Sequence, residues 1–566
     1  MGIQKAVKKK KKGLGSGGFG ARAGSAQEQS SRRPQHVEKT APCMAACPNK
    51  TNIRGIITTI AQAEKKEKPK EQAYLEAWNM LVEKNPFPST CGRVCPHPCE
   101  AECNRKDKDG AVAINNIERF LGDYAVEKNL PLPKLTEDAR SEKIAVIGAG
   151  PAGFSCAYQL ARRGYPVTVF EAFPKAGGML RYGIPDYRLP QDVLDSEIQK
   201  LLDLGIELKT NTIIGKDVDY KDLQKDYKAI FVGIGAHKGY NLGIEGEDAA
   251  NVYTGTDFLN RINRGETVDV GNQVIVIGGG DTAIDAARVC RRLGAEVTIL
   301  YRRTRNEMPA IEEEIVGAEE EDVKFHFLAA PIKVIKDGDM AVKMVCQQME
   351  LGEPDASGRR RPVPIEGQTF EVDLTCLIPA ISQEPEFEGL EDLREGRDWV
   401  KTDDNFKTKI DGIYGGGDVL NLGLVTIAIY QGRIAAYKIH EEITGEKIEG
   451  IDDNATKNVI SVDKMMLNYY EEKLRNESHG MEPSERLKSL EAEIMQTLTE
   501  EQFLDETKRC MSCGSCFECG QCWSYCQDNA IVKPLIQGQP YKFKLEFCKG
   551  CDKCAENCPC GYIEMH

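Results

Sequence analysis

Residues 143–173 read KIAVIGAGPAGFSCAYQLARRGYPVTVFEAF. A short β-branched run leads into a turn carrying Gly148, Gly150 and Gly153, then a helical stretch, a second β-branched run and Glu171. The first glycine permits a tight turn, the second lets the backbone approach a pyrophosphate, and the third lets the helix close on the strand. A diphosphate then rests on the helix N-terminus beside Pro151 and Ala152, and Glu171 can accept hydrogen bonds from a ribose. A lone glycine triplet would be weak evidence. With strand, helix and acid all at the expected offsets, the stretch predicts a parallel α/β dinucleotide-binding unit.

The arrangement recurs at residues 273–305, QVIVIGGGDTAIDAARVCRRLGAEVTILYRRTR, with Gly278, Gly279, Gly280, Asp281, Thr282 and Ala283 at the turn. Two such units predict two nucleotides. No acid follows the second strand here; Tyr301, Arg302 and Arg303 do. A basic end suits the 2′-phosphate of NADPH, which an acid would repel. The alternative is that Arg302 and Arg303 are surface arginines paired with Glu307 or Glu312, which leaves NADH as the donor.

Around these units the chain changes texture. Its 566 residues exceed what one core can organise and predict three to five domains. No stretch approaches 18 consecutive apolar residues, so no membrane span is expected. The net charge of −14 argues against a nucleic-acid partner. Residues 1–37 are the exception in charge, with Lys5, Lys8 to Lys12, Arg22, Arg32 and Arg33, and read as a basic flexible tail. That tail lacks the apolar core of a secretory signal, and the expected location is the cytoplasm.

Residues 38–140 carry helical patterning and six cysteines. The α/β texture then runs to about residue 448, charged helix-prone sequence occupies 449–505 as an expected helical linker, and 506–566 is dense in cysteine. With 17 of the 21 cysteines clustered toward the two ends, only Cys156, Cys290, Cys346 and Cys376 between them, and no export signal, iron–sulfur or metal chemistry is expected rather than disulfides.

The C-terminal motifs CGSCFECGQCWSYCQDNAI (513–531) and FCKGCDKCAENCPCG (547–561) each contain C-x2-C-x2-C-x3-C. That double spacing predicts a ferredoxin-like 2[4Fe–4S] domain in which each fourth cysteine crosses to the other cluster. One cluster would use Cys516, Cys519, Cys522 and Cys558, and the other Cys548, Cys551, Cys554 and Cys526. A zinc site takes only four thiolates and would leave half of them unused. Cys510, Cys513 and Cys560 are expected to be spare thiols.

Three further stretches, GGMLRYGIPDYRLP (177–190), YRRTRNEMPA (301–310) and GIYGGGDVLNLGLVTIAIYQGRIAAY (412–437), carry a family resemblance. Together with the two glycine turns they resemble the two-dinucleotide-binding flavoproteins, specifically the small subunit of NADPH-dependent glutamate synthase and its relatives. The resemblance covers roughly residues 40–450. It implies an α/β core of two Rossmann-like domains, the FAD domain discontinuous at 141–250 and 375–448 and the NAD(P)H domain inserted at 251–374. It further implies that Gly178, Met179, Leu180, Arg181, Gly183 and Ile184 run along FAD. Gly417 and Asp418 would meet its ribityl-diphosphate region, and the helix start at Thr426 would face the flavin ring.

In these relatives the N-terminal α-helical domain holds [4Fe–4S] clusters, one of which accepts a carboxylate. The matching set here is Cys47, Cys95, Cys99 and Glu118. A second cluster would have Cys43, Cys91 and Cys103 and no evident fourth ligand, so one or two N-terminal clusters are expected.

The cofactors carry the chemistry, and no catalytic side chain is expected: the chain has no nucleophile elbow, no H-E-x-x-H and no P-loop. The added C-terminal module makes the chain similar also to DsrL-type NAD(P)H:acceptor oxidoreductases. The resemblance implies an enzyme that exchanges electrons with a protein partner: sulfite reductase, a ferredoxin or a large catalytic subunit. The alternatives are a glutamate synthase small subunit and a non-catalytic wiring subunit. Oligomeric state is left open.

Overall fold

The computed structural model describes residues 30–356, 358–395, 399–448, 458–539 and 541–566. The basic tail up to residue 29 and the start of the expected linker, 449–457, lie outside the described residues. The chain divides into a larger unit, Glu38–Phe517 with Pro559–Tyr562, and a smaller one, Met1–Val37 with Glu518–Cys558 and Ile563–His566.

In the larger unit, the opening stretch folds as strand Ile144–Ile147, helix Pro151–Ala161 and strand Val167–Phe170. The two strands lie side by side in a five-stranded parallel sheet ordered Ile413–Gly415, Ala229–Val232, Ile144–Ile147, Val167–Phe170, Glu207–Lys209. The central strands are buried at every position, which is why they are continuous β-branched runs and not alternating ones. Helices Pro151–Ala161 and Val425–Thr444 pack against each other on this sheet.

A second parallel sheet, ordered Cys376–Pro379, Gln273–Ile277, Glu296–Tyr301, Lys324–Phe327, is inserted in the chain between strands Ala229–Val232 and Ile413–Gly415 of the first. It continues into an antiparallel meander, Ala329–Asp337, Met340–Pro354 and Arg360–Asp373. Cys376–Pro379, expected in the returning flavin segment, pairs instead with Gln273–Ile277 and belongs to the insertion. The chain crosses between the two domains where Lys238–Gly239 pairs with Gln383–Glu384. The strand's apolar sequence suits either sheet, and only its partner decides.

The N-terminal helices Ile53–Ala61, Lys70–Val82 and Ile114–Glu127 pack around Tyr74, Ile117 and Leu121, and Pro88–Val94 lies against Ile114–Glu127. A helix from far along the chain, Glu500–Thr507, completes this core. Its Phe503 is fully buried, stacks on Phe120 at 3.9 Å between ring centres, and meets Tyr74 edge-on at 5.5 Å. Most of the described part of the expected linker, 458–505, is not helical. Beyond Pro483–Arg486, tertiary contacts override local propensity: Ile494 N donates to Tyr187 O at 3.0 Å, and Glu493 accepts from Arg93 and Arg119 at 2.7 and 2.8 Å.

Among the described residues no helix is long and apolar enough to cross a membrane.

The smaller unit is built from two similar halves, each a cysteine-bearing loop followed by one helical turn, Gln521–Ser524 and Lys553–Glu556. Short antiparallel pairs, Ile531–Val532 with Lys542–Phe543 and Pro34–His36 with Ile563–Met565, tie it together. It has few large apolar groups in its interior, and Cys522, Cys554 and Cys558 fill part of it.

Candidate functional site

A cavity of about 490 Å³ opens at the carboxyl ends of the first sheet's strands, where the strand order reverses and α/β sheets commonly bind ligands. Gly148, Gly150, Pro151, Ala152 and Glu171 line one end, Gly178, Met179, Leu180 and Ile184 one side, and Gly417 and Asp418 another. Gly148 has φ +101°, and a side chain there would stand 2.3 Å from the Gly233 carbonyl oxygen. At Gly153 an added Cβ would lie 2.0 Å from Gly148 O, so this glycine serves helix-to-strand packing and lies behind the lining.

Glu171 is buried and accepts from Ala149 N and Phe173 N, both at 2.9 Å. It thereby fixes the turn and keeps a carboxylate at the cavity wall. Burial raises its pKa, and the backbone N–H groups pull it back.

Arg181 does not join the lining. Its buried guanidinium donates to Ala176 O, Gln191 and Asp195 and locks the loop from behind. Gly183 also lies outside the lining, packed on Met179.

Several lining residues went unread in the sequence: Phe173, Thr212, Gly233, Gly235, His237 and Glu388. The signal was the glycine run VGIGAHKG directly after the strand Ala229–Val232. Burial lowers His237 to about 4, so it is neutral at physiological pH.

Asp418 accepts from Gly423 N at 3.1 Å and is raised by burial to about 6. Each pKa unit is worth about 1.4 kcal/mol, so lifting the carboxyl from 3.8 costs the flavin-free fold about 3 kcal/mol at pH 8. The group's folded pKa is above its unfolded one, so the cost is full above pH 6 and fades as pH falls toward 4. Asp418→Asn is expected to raise the melting temperature of flavin-free protein at pH 8, with about half that gain at pH 5. The same variant should hold FAD several-fold more weakly, which flavin release by equilibrium dialysis would measure.

At the second glycine turn, the segment after strand Glu296–Tyr301 folds back over it. The Tyr301 ring packs on Gly279, Ala310 N donates to Gly279 O at 3.2 Å, and Ile311 N donates to Asp281 Oδ1 at 2.9 Å. Gly280 caps helix Asp281–Arg292, within which Ala283 is fully buried, and Thr282 sits in its first turn.

The two arginines part company. Arg302 is exposed, whereas Arg303 is buried, with Nη2 2.7 Å from Asp355 Oδ2 and Nε 2.7 Å from Arg360 O. The expected partners Glu307 and Glu312 are engaged elsewhere, Glu307 capping Thr304 and Glu312 pairing with Arg305.

A smaller cavity in the helical domain is lined by Cys47, Cys95, Cys99 and Glu118. Asn85 Nδ2 donates to Glu118 Oε1 at 2.7 Å, and burial raises this carboxyl to about 7. Glu118 therefore faces inward among thiols and is not a plain surface residue. His97 stands at the rim, its Nδ1 3.1 Å from Cys95 O.

Thr426 also lines this cavity, while its neighbours Val425 and Ala428 line the large one. The first turn of helix Val425–Thr444 is thus a shared wall, and Thr426, expected at the flavin, faces the thiol side.

Burial pushes the Cys47 and Cys99 thiols up, and Cys95 to about 12. Thiolate ligation has to overcome that cost, which a cationic cluster interior can do.

Cys43, Cys91 and Cys103 do not form the expected trio. Cys91 sits on the Glu118 side with its Sγ 3.7 Å from Asn85 Oδ1. Cys43 and Cys103 instead line a third cavity with Cys510 and Cys513, which were expected to be spare.

In the smaller unit, Ala530 N donates to Cys526 Sγ at 3.2 Å and Gly550 N to Cys548 Sγ at 3.4 Å, and burial, with the nearby Cys548 and Cys551, pushes the Cys554 thiol up to about 12. Cys519, Cys522 and Cys558 also lie in this unit, while Cys516 lies in the larger one. Among the described residues no group of three or more His, Cys, Asp or Glu side chains could hold a single metal ion, and the cysteines form no disulfide. A four-iron cube, with an iron behind each thiolate, asks for a wider cage.

Two Rossmann-like domains, one inserted in the other, with a dinucleotide-sized cavity beside a thiol-lined helical domain, define an iron–sulfur flavoprotein. Residues 142–432 match the pyridine nucleotide-disulphide oxidoreductase family, and residues 19–130 match dihydropyrimidine dehydrogenase domain II, 4Fe-4S cluster. The chain belongs to the pyridine nucleotide-disulphide oxidoreductase family, as a glutamate-synthase-small-subunit-like member, and is an NAD(P)H-dependent flavin oxidoreductase with FAD and [4Fe–4S] cofactors.

It is 36% identical to the NADPH-Fe(3+) oxidoreductase subunit beta of Geobacter sulfurreducens, over 85% of this chain and 77% of that one. It is 38% identical to the glutamate synthase [NADPH] small chain of Escherichia coli, over 65% and 83%. It is 39% identical to the NADP(+)-dependent formate dehydrogenase subunit beta of Moorella thermoacetica, over 71% and 60%.

Proposed function

We propose that this chain is the electron-exchanging subunit of a larger enzyme and moves electrons between NADPH and a protein partner. The shared wall carries the reading: one turn of helix Val425–Thr444 separates the flavin-sized cavity from the cavity of Cys47, Cys95, Cys99 and Glu118. Bound FAD would accept a hydride from the nicotinamide and release its two electrons singly to [4Fe–4S] clusters.

The chain's own residues position those groups. Gly148, Gly150 and the start of helix Pro151–Ala161 cradle the diphosphate, and Glu171 faces the ribose. Gly178 to Leu180, Ile184, Gly417 and Asp418 line the remainder. Cys47, Cys95, Cys99 and Glu118 hold the cluster nearest the flavin. At the C-terminal end, Cys548, Cys551, Cys554 and Cys526 hold one cluster and Cys516, Cys519, Cys522 and Cys558 another, as their spacing prescribes.

The donor is NADPH, its 2′-phosphate read by exposed Arg302. Arg303 is committed to Asp355 and supports the loop. Arg302→Ala is expected to raise KM for NADPH about tenfold, the loss of one good charged contact, and to leave KM for NADH unchanged. Arg303→Ala should instead lower stability by about 2 kcal/mol, as for a half-buried charged hydrogen bond, without altering the NADPH to NADH preference. Steady-state kinetics with both nucleotides and thermal melts separate the two roles.

The partner is a separate catalytic subunit. The relatives' names, subunit beta and small chain, support that arrangement. Affinity isolation of the native complex, with NADPH:viologen activity assayed on the isolated chain, tests the reading. An active flavin with a co-purifying redox subunit is the expected result. A silent flavin would leave only a wiring role. A glutamate-forming large subunit would make this a glutamate synthase subunit, and a sirohaem sulfite reductase would favour the DsrL-type reading.

A further inference from the structure

Four cysteines brought together from three stretches of chain remain outside the sites assigned above. Cys43 lies at the start of the N-terminal domain and Cys103 at the end of its cysteine-rich turn, while Cys510 and Cys513 follow the helix Glu500–Thr507. All four line one cavity with Arg54, Asn104 and Arg105.

The late segment is held there firmly. Arg509, directly before Cys510, is fully buried and donates to six acceptors. These are Glu506 Oε1 at 2.6 Å, Asp109 Oδ1 at 3.1 Å, and the carbonyls of Asp109, Gly110, Ala111 and Lys473 at 3.1, 2.8, 3.0 and 3.0 Å. Phe503 anchors the preceding helix.

Between the two cysteines, Ser512 adopts φ +50° and turns the chain, and Arg54 Nη1 fixes Cys513 by donating to its carbonyl at 2.8 Å. So much buried hydrogen bonding serves no purpose for two spare thiols, but it presents both on the face that already carries Cys43 and Cys103.

We propose that Cys43, Cys103, Cys510 and Cys513 together hold a second [4Fe–4S] cluster of the helical domain, half of its ligands coming from the segment that leads into the C-terminal cysteine motifs. Four thiolates suit such a cluster, and the guanidinium groups of Arg54 and Arg105 offset the negative charge that it brings into a buried site. Cys91 is relieved of a ligand role.

Cys513 and Cys516 lie three residues apart, so at most about 11 Å of extended chain links a ligand of this cluster to the first ligand of the C-terminal set. The proposal rests on the reading that the helical domain carries clusters, and it adds a covalently tied step between that domain and the C-terminal motifs.

The test is metal, sulfide and flavin quantitation with electron paramagnetic resonance on the full chain, purified without oxygen. The Cys510→Ser/Cys513→Ser double variant should lose about four irons and four sulfides per chain. It should keep its FAD, while Cys91→Ala keeps every cluster. If the double variant is insoluble, Cys513→Ser alone should change one reduced-cluster signal by replacing sulfur with oxygen at one iron.

Unchanged iron and unchanged spectra in both variants would overturn the proposal, as would loss of one zinc with no loss of iron. Retention of all iron in Glu118→Ala and Cys47→Ser as well would instead strike at the broader reading that this domain carries clusters.

Discussion

Gly148→Ala is expected to yield a folded chain that is nearly free of flavin. The residue stands at φ +101°, a conformation that costs an alanine about 1–3 kcal/mol, and its new methyl would press on the Gly233 carbonyl oxygen at 2.3 Å. Relief requires the turn to move, and the turn is the diphosphate cradle. Its neighbours give no room: Glu171 ties Ala149 from one side and the Gly153 backbone lies against Gly148 O on the other.

The two parallel strands beside it are buried and held by their own ladder, so the sheet survives while the cavity mouth is lost. Flavin occupancy after purification should fall at least tenfold, the equivalent of about 1.4 kcal/mol in binding. Circular dichroism should remain that of the parent. A variant purified with full flavin would show that this glycine is not needed at the cradle.

The residues around Gly148 explain how much the sequence could tell. A glycine turn between two buried β-branched runs is a local device, with every part within about thirty residues of the others in the chain. Its period, its turn and its acid could therefore be read without knowing what lay opposite. The same holds for the second turn, whereas the inserted order of the domains is implied only by the family resemblance.

What escaped was decided by partners distant in sequence. Cys376–Pro379 is apolar enough for either sheet, and its pairing with Gln273–Ile277 assigns it. Arg303 was indistinguishable from Arg302 until Asp355, on the meander, claimed it. The stretch before residue 500 has good helix formers, but Glu493 between Arg93 and Arg119, and Ile494 on Tyr187, hold it in turns and bends instead of a helix. Cys510 and Cys513 looked like overrun of the ferredoxin spacing because nothing local distinguishes them. Only Phe503 and Arg509, docking hundreds of residues back, show where they go.

Glu118→Ala is the second variant with a large expected effect, and it separates reduction of the flavin from electron transfer out of it. The Glu118 carboxyl faces Cys47, Cys95 and Cys99, and Asn85 holds one of its oxygens in place. Asn85 is itself fixed, its Oδ1 accepting from Phe87 N at 3.0 Å. This is the arrangement expected of a ligand whose orientation is set by a partner behind it.

Burial raises the carboxyl to about 7, so a charged Glu118 is costly there unless a cation faces it. Removing the side chain should therefore stabilise the cluster-free protein modestly while opening one corner of the cage. In the variant NADPH should still bleach the flavin at the parent rate, because Gly148 to Ala152, Glu171 and Asp418 are untouched. Viologen reduction should fall at least about tenfold, and iron content should drop.

Asn85→Ala should reproduce the defect more weakly, as a positioning residue would, with iron retained but its paramagnetic signal broadened. Rapid-mixing absorbance separates the two steps directly. If Glu118→Ala passed electrons to viologen as fast as it reduced its flavin, the route through this cage would be wrong.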